Sequence, residues 1–84
     1  MKMTKGEYRV GITFNPSGDG MVGQIKQAAA DLIDLIEMIP LQEMDSAYGE
    51  MRGNEIARLK ALAQTDIETA AMHAVKAATK KPVE

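Results

Sequence analysis

The longest regular pattern in the sequence predicts an α-helix that begins at an Asn54 N-cap and continues to about Lys80. Apolar and small residues recur there at intervals of three and four, which places them on one helix face: Ile56, Leu59, Ala63, Ile67, Ala70, Ala74 and Ala77. Alanine dominates the second half of this face, so a partner helix could approach closely there. Pro82 ends the pattern.

A second helical pattern comes earlier and is predicted to run from Gly20 to Met38, with Ser17 or Asp19 as its N-cap. Its apolar face has the same spacing: Val22, Ile25, Ala29, Leu32, Ile36 and Ile39. Pro40 stops this helix. Residues 41–53 are predicted to form a connector, with an isolated turn at residues 45–48. Two long helices joined in this way predict an all-α antiparallel helical hairpin.

Residues 1–20 are predicted to form an irregular N-terminal arm, separate from a helical hairpin domain at residues 21–81. The arm is rich in glycine, and residues 8–14 alternate loosely enough to suggest a short extended segment. Asn15, Pro16, Ser17 and Gly18 form a turn signal.

Size and composition limit how such a chain can be stabilised. It has 84 residues, no cysteine and one histidine, His73, so neither disulfides nor a thiolate or histidine metal site is expected. A core this small is marginal, which favours a symmetric homo-oligomer. The net charge of −2 argues against a DNA- or RNA-polymer partner. We expect a soluble protein of a reducing cytoplasm, with no membrane partner and no cofactor.

A polar stripe on the second helix is the first candidate binding surface. At about 100° per residue, Arg58, Thr65, Thr69 and Lys76 lie within roughly 20° of one line, opposite the alanine-rich face. Arginine can bind a phosphate or a base edge, and threonine supplies neutral donors and acceptors. The alternative is an ordinary exposed face, with the flanking Leu62 and Met72 covered by a second subunit.

Three residues nearer the N-terminus are further candidates. Lys26 lies at the border of the apolar face of the first helix, where it could hold a phosphate or simply extend to solvent. Tyr8 and Phe14, both expected outside the helices, could stack on bases or cover the open end of the hairpin.

The sequence contains no recognisable set of catalytic residues, so we predict a protein that is not an enzyme. Asp66 and Glu68 point to different sides of the second helix, and neither has a basic residue nearby in the pattern. His73 lacks a serine or cysteine nucleophile at a suggestive position.

The segment RLKALAQTDIETAAMHAVKAAT, from Arg58 to Thr79, resembles the C-terminal helix of a family of small bacteriophage proteins. These proteins are sponges that sequester the cyclic oligonucleotide signals of bacterial antiphage immunity, including the anti-CBASS proteins, and they share a helical hairpin domain with the anti-Thoeris sponges. A weaker similarity covers Ile25–Ala30 and the apolar helix after it. Where family members often have Met-Trp, this chain has Met72-His73.

The resemblance implies an oligomer, often a hexamer, that binds cyclic dinucleotides between protomers and in some members cyclic trinucleotides at a separate site, without cleaving them. It implies a base-stacking role for Tyr8, with Phe14 as the rival, a phosphate-binding role for Lys26, and trinucleotide-binding roles for Arg58 and Thr65. Localisation would be the cytoplasm of the infected host. Two alternatives remain open: a sponge for cyclic ADP-ribose isomers, and a helical interaction module without a ligand.

Overall fold

The computed structural model describes residues 2–41 and 47–82, and within these ranges it is all-helical. Three helices follow one another: α1 (Lys5–Val10), α2 (Gly20–Glu37) and α3 (Ala47–Ala78). Lys60 of α3 contacts the end of α2, whereas Val75 and Thr79 lie near Val22 at its beginning, so α2 and α3 are antiparallel. The predicted all-α hairpin is confirmed. None of the three helices combines the length and apolar character that a bilayer span requires.

The bounds of α2 are close to those predicted. The Asp19 side chain accepts a hydrogen bond from the Met21 amide at 2.8 Å, so Asp19 is the N-cap. At the other end, Lys60 Nζ donates to the carbonyl oxygens of Glu37 and Ile39, at 3.0 and 2.6 Å. A cation thus satisfies carbonyls that a helix end leaves unpaired, which fixes where α2 ends against α3.

The start of α3 differs from the prediction. The helix begins at Ala47 rather than after Asn54, so residues 47–53 of the predicted connector are helical and Tyr48 belongs to the helix. Residues 42–46, which include part of the predicted turn at 45–48, lie outside the described residues. A helical glycine costs only about 1 kcal/mol relative to alanine, so Gly49 and Gly53 do not stop a helix of 32 residues.

The arm is not irregular throughout, and the extended segment predicted at residues 8–14 is wrong. Tyr8 lies inside α1, and only Phe14 lies outside the helices. A capping box begins α1, because the Glu7 amide donates to Thr4 Oγ1 at 3.1 Å and the Thr4 amide donates to Glu7 Oε1 at 2.9 Å. Gly11 ends it in the left-handed conformation, at φ 64°.

Gly6 sets how closely α1 approaches α2. A Cβ atom at Gly6 would lie 2.1 Å from the Ala30 carbonyl oxygen, so no other residue fits without moving a helix. The Gly6 amide also donates to Asp34 Oδ1 at 2.7 Å. This contact places the rest of the arm along the hairpin.

The buried residues only partly match the predicted faces. The line that α2 turns inward consists of Val22, Lys26, Ala30 and Ile33, and the buried side chains of α3 include Gln64 and Ala71. On α3 the buried line lies roughly a quarter turn from the predicted apolar face. That predicted face, including Leu59, remains at least partly exposed.

The molecule is thin in one direction. Its Cα atoms span 61 × 32 × 12 Å. The accessible surface is 6429 Å², whereas a compact protein of 9.1 kDa exposes about 4,900 Å². The excess surface leaves a large area for a partner.

Candidate functional site

A buried amide joins the three helices at the middle of the hairpin. Gln64 is only 2% exposed, and its Nε2 donates to the Ile33 carbonyl oxygen and to Glu37 Oε1, both at 3.1 Å. Its Oε1 accepts from Lys5 Nζ, also at 3.1 Å. We call Lys5, Glu37 and Gln64 the clasp, because they tie the start of α1 to both hairpin helices.

An ion pair completes the clasp. Lys5 Nζ lies 2.7 Å from Glu37 Oε1. The hydrogen bond from Lys5 lowers the pKa of the Glu37 carboxyl below its usual value, with further contributions from the Gln64 amide and from the charges of Lys5 and Lys60. The carboxylate is therefore ionised at neutral pH and holds the start of α1.

Arg9 connects the arm to the middle of α3. Its Nε and Nη2 donate to Glu68 Oε1 at 3.0 and 2.6 Å, and Nη2 also donates to Thr65 Oγ1 at 3.3 Å. The expectation that Glu68 lacks a basic partner is wrong, because its partner is 59 positions away in the sequence. Sequence reasoning did not select Arg9, since no local spacing links it to α3.

Lys26 is held inside the structure rather than extended to solvent. It is 8% exposed, and its Nζ donates to the Gly11 carbonyl oxygen at 3.0 Å and to the Phe14 carbonyl oxygen. The ammonium also lies 5.5 Å from the centre of the Phe14 ring, within cation–π range. Lys26 and Phe14, two of the predicted site residues, are thus brought together.

Two shallow clefts meet at Lys26 and Val75. The first, here the arm cleft, has a volume of about 250 Å³ and is lined by Arg9, Val10, Lys26, Glu68, Ala71, Met72 and Val75. The second, here the Phe14 cleft, is about 210 Å³ and is lined by Phe14, Asn15, Pro16, Ser17, Val22, Lys26, Val75 and Thr79. Together they place two cations, an aromatic ring and apolar side chains at the open end of the hairpin.

The remaining predicted site residues lie on exposed surfaces. Tyr8 is 78% exposed on α1, one position from Arg9. Thr69 Oγ1 donates to the Thr65 carbonyl oxygen at 3.0 Å, so its hydroxyl is engaged within α3. Thr65 Oγ1 accepts a hydrogen bond from Arg9, so this residue of the predicted polar stripe is joined to the arm.

Arg58 is separated from this cluster. It lies seven positions before Thr65, or about 10 Å along the helix, and pairs with Glu55 at 2.7 Å. The hydrogen bond between them raises the pKa of Arg58 and lowers that of Glu55. The chain therefore groups Lys26, Phe14 and Thr65 near the arm and leaves Arg58 on a different part of α3.

The turn end of the hairpin carries a third cleft of different character. This turn-end cleft is about 350 Å³ and is lined by Ile36, Ile39, Ile56, Leu59, Lys60 and Ala63. Among the residues that the structure describes, Lys60 is the only ionisable one in this lining, and its Nζ is bonded to the carbonyl oxygens of Glu37 and Ile39. The predicted apolar faces of α2 and α3 meet here without covering each other.

Comparison with known proteins identifies the fold family. The family model of the Acb2/Tad1 hairpin domain matches residues 6–79, which include α2 and α3 entirely and all of α1 except its first residue. No curated protein and no solved structure shows significant similarity to the chain. Because the match covers most of the sequence and the structure has the corresponding helical hairpin, the chain belongs to the Acb2/Tad1 hairpin-domain family.

Proposed function

We propose that the protein is a sponge that binds cyclic di- or trinucleotide immune signals and sequesters them without cleavage, which would block CBASS-type antiphage signalling in the cytoplasm of an infected bacterium. Membership of the Acb2/Tad1 family implies a sponge for cyclic nucleotide signals. The proteins of this family bind their signals rather than act on them as enzymes. The choice of cyclic oligonucleotides over other cyclic nucleotides is the proposal.

One observation supports this ligand class most directly. The region where the arm packs on the hairpin combines cations with exposed aromatic rings. Arg9 and Lys26 line the arm cleft. The Phe14 ring lies near the Lys26 ammonium, and Tyr8, next to Arg9 in the sequence, is exposed to solvent. Phosphodiesters require cations, and bases stack on aromatic rings for about 1–3 kcal/mol each. A cyclic oligonucleotide presents both groups in alternation.

The same geometry argues that binding requires more than one chain. The arm cleft and the Phe14 cleft hold about 250 and 210 Å³, whereas pockets that enclose small ligands usually hold about 300–1,000 Å³. Tyr8 and Phe14 are 78% and 70% exposed, so their rings have uncovered faces. We propose that a symmetric homo-oligomer, hexameric as the family resemblance implies, supplies the missing walls.

The thin, elongated shape of the molecule supports assembly independently of the ligand. The surface exceeds that of a compact protein by about 1,500 Å². It includes large apolar side chains on both long helices, such as Leu35, Met38, Leu62 and Met72. Surfaces of this kind on a small chain usually bury themselves against another copy.

Calorimetric titration tests the proposal. A panel of cyclic dinucleotides, cyclic trinucleotides and cyclic ADP-ribose isomers is titrated into the protein at micromolar concentration. We expect nanomolar binding of at least one cyclic oligonucleotide, which corresponds to about −12 kcal/mol. Ligand recovered after denaturation should be chemically unchanged. If only cyclic ADP-ribose isomers give heat of binding, the ligand is of that class and not a cyclic oligonucleotide. If no compound gives heat of binding, the sponge function is refuted.

Assembly and ligand count are measured together by native mass spectrometry. We expect one dominant oligomer with a fixed number of bound ligands. Arg58→Ala and Thr65→Ala are predicted to affect a trinucleotide site, while Tyr8→Ala and Lys26→Ala affect a dinucleotide site. Loss of both ligands in all four variants, with the assembly intact, would contradict two separate sites.

The turn-end cleft favours a second candidate function, a helical interaction module. Among the described residues its lining is apolar apart from Lys60, as is typical of a protein contact surface. If this module is the function, Leu59→Asp should abolish activity in phage-protection assays, whereas Lys26→Ala and Arg58→Ala should leave it intact. The opposite pattern supports the sponge.

A further inference from the structure

We propose that the arm cleft is a phosphate-binding site within one chain, in which Arg9 contacts the ligand and Glu68 is an internal counter-ion that the ligand displaces. This inference rests on the proposed function and specifies where one phosphodiester of the ligand binds. It gives Arg9 and Glu68 binding roles that neither the sequence pattern nor the family resemblance assigns to them.

The position of Arg9 is the first step. Its guanidinium is bonded to Glu68 through Nε and Nη2, but its side chain remains 21% exposed and lines the arm cleft. Only one oxygen of Glu68, Oε1, accepts from the guanidinium. The paired form is thus not the bidentate geometry in which a carboxylate binds arginine most strongly. A phosphate in the cleft could offer two oxygens to the same guanidinium.

Lys26 supplies the second cation of the site. An ammonium has three donors, and the carbonyl oxygens of Gly11 and Phe14 use two of them. The ammonium also lies near the Phe14 ring. Lys26 therefore keeps its bonds to the arm, and its positive charge is fixed on the wall of the cleft before a ligand arrives.

The charges of the cleft explain the role of Glu68. Arg9 and Lys26 contribute two positive charges and Glu68 one negative charge, and these are the only ionisable residues in the part of the lining that the structure describes. A net charge of about +1 attracts a phosphodiester weakly, whereas removal of the carboxylate would leave +2 in a partly buried site. Glu68 thus holds Arg9 in a defined position in the free protein and competes with the ligand for it.

The decisive variant is Glu68→Gln, which keeps an oxygen that can accept from Arg9 but removes the competing charge. We expect roughly threefold to tenfold tighter binding of an anion. Arg9→Gln should weaken binding at least tenfold. The matched controls are Glu50→Gln and Lys80→Gln, which make the same charge changes at exposed positions outside the three clefts. Both should bind like the wild type.

Two probes separate this inference from the proposed function. The first is inorganic phosphate, followed by NMR through the Arg9 Nε–H resonance and the amides of Ala71 and Met72. The second is the calorimetric panel of cyclic oligonucleotides. We expect phosphate to shift these resonances and to bind Glu68→Gln more tightly than Glu50→Gln. Thermal unfolding of each variant shows that it is folded.

The outcomes are distinct. If phosphate leaves the Arg9 resonance unmoved, or if Glu68→Gln binds no more tightly than Glu50→Gln, the arm cleft is not the proposed anion site. If the wild type binds a cyclic oligonucleotide but Arg9→Gln binds it equally well, the inference fails and the sponge stands. If phosphate behaves as expected and no cyclic oligonucleotide binds, the site stands and the proposed function fails.

Discussion

The two ends of the hairpin are built from the same pair of helices but are closed in different ways. The arm lies across α2 and α3, from Glu37 at the end of α2 towards the open end, and is held by hydrogen bonds and ion pairs through Lys5, Arg9 and Lys26. At the turn end, the described residues leave the apolar turn-end cleft uncovered. The comparison indicates that the two regions have different roles: the arm forms a polar site with the hairpin, and the turn end provides an apolar contact surface.

The packing of the arm on α2 is more sensitive to a larger side chain than the turn end is. In Gly6→Val the new side chain would overlap the backbone of Ala30, because even a Cβ atom would lie 2.1 Å from its carbonyl oxygen. We expect α1 to leave the hairpin and the free energy of unfolding to fall by about 3 kcal/mol. Thermal unfolding and limited proteolysis of residues 2–19 measure both effects.

Gly23→Ala is the control for this change. Apart from the neighbouring backbone of α2, no described atom lies within 4 Å of a Cβ atom built at Gly23. Alanine is also the better helix former. It should therefore leave the protein unchanged or slightly more stable. A Gly6→Val protein with a protected arm and unchanged unfolding would show that the close contact of α1 with α2 does not hold the arm.

The clasp is the next most sensitive feature. Gln64→Leu removes an additional donor to the Ile33 carbonyl oxygen and one partner each of Lys5 and Glu37 in a buried place. We expect a loss of about 2 kcal/mol in the free energy of unfolding, because the stranded polar groups lose hydrogen bonds without regaining water. Chemical denaturation measures it. Gln24→Leu, at an exposed position of α2, should have a much smaller effect, and equal losses in both would contradict a special role for the clasp.

A charge in the turn-end cleft tests the other side of the comparison. Leu59→Asp should raise the dissociation constant of the assembly at least about tenfold, since it places a carboxylate against apolar residues of a partner. Leu59→Met keeps the apolar volume and should assemble normally. Analytical ultracentrifugation decides. If Leu59→Asp assembles like the wild type, the turn-end cleft is not part of the subunit contact.

The smallest expected effect is the dependence of the clasp on pH. The folded-state pKa of Glu37 is lowered, so the stabilisation that its carboxylate provides is fully present above its unfolded value of 4.5 and is lost as the pH falls below that value. The difference in unfolding free energy between the wild type and Glu37→Gln should therefore be constant near pH 7 and shrink below about pH 4.5. A difference that grows on acidification would reverse the sign of the linkage.

The sequence predicted the hairpin and the bounds of α2 because the signals for both are local. Asp19 and Pro40 each act on the helix end next to them, and the apolar repeat lies between them. The capping box of Thr4 and Glu7 is also a local signal, and it was available in the sequence as a marker for α1. The start of α3 was missed because two glycines cost less than the helix gains by continuing.

The candidate site was less predictable, since its contacts join distant parts of the chain. Lys26 and Gln64 are buried because carbonyls and side chains from other helices satisfy their polar atoms, and a count of apolar residues assigns such positions to the surface. Arg9 and Glu68 are related only through the packing of α1 on α3. The positions proposed from the family resemblance for Tyr8 and Arg58 stay predictions.

The thinness of the molecule has a consequence for how its amides exchange with heavy water. With a thickness of 12 Å between the outermost Cα atoms, few peptide groups lie far from bulk solvent. Protection in α2 and α3 beyond that given by the hydrogen bonds of a single chain would come from neighbouring copies, and it should rise with protein concentration until the oligomer is complete.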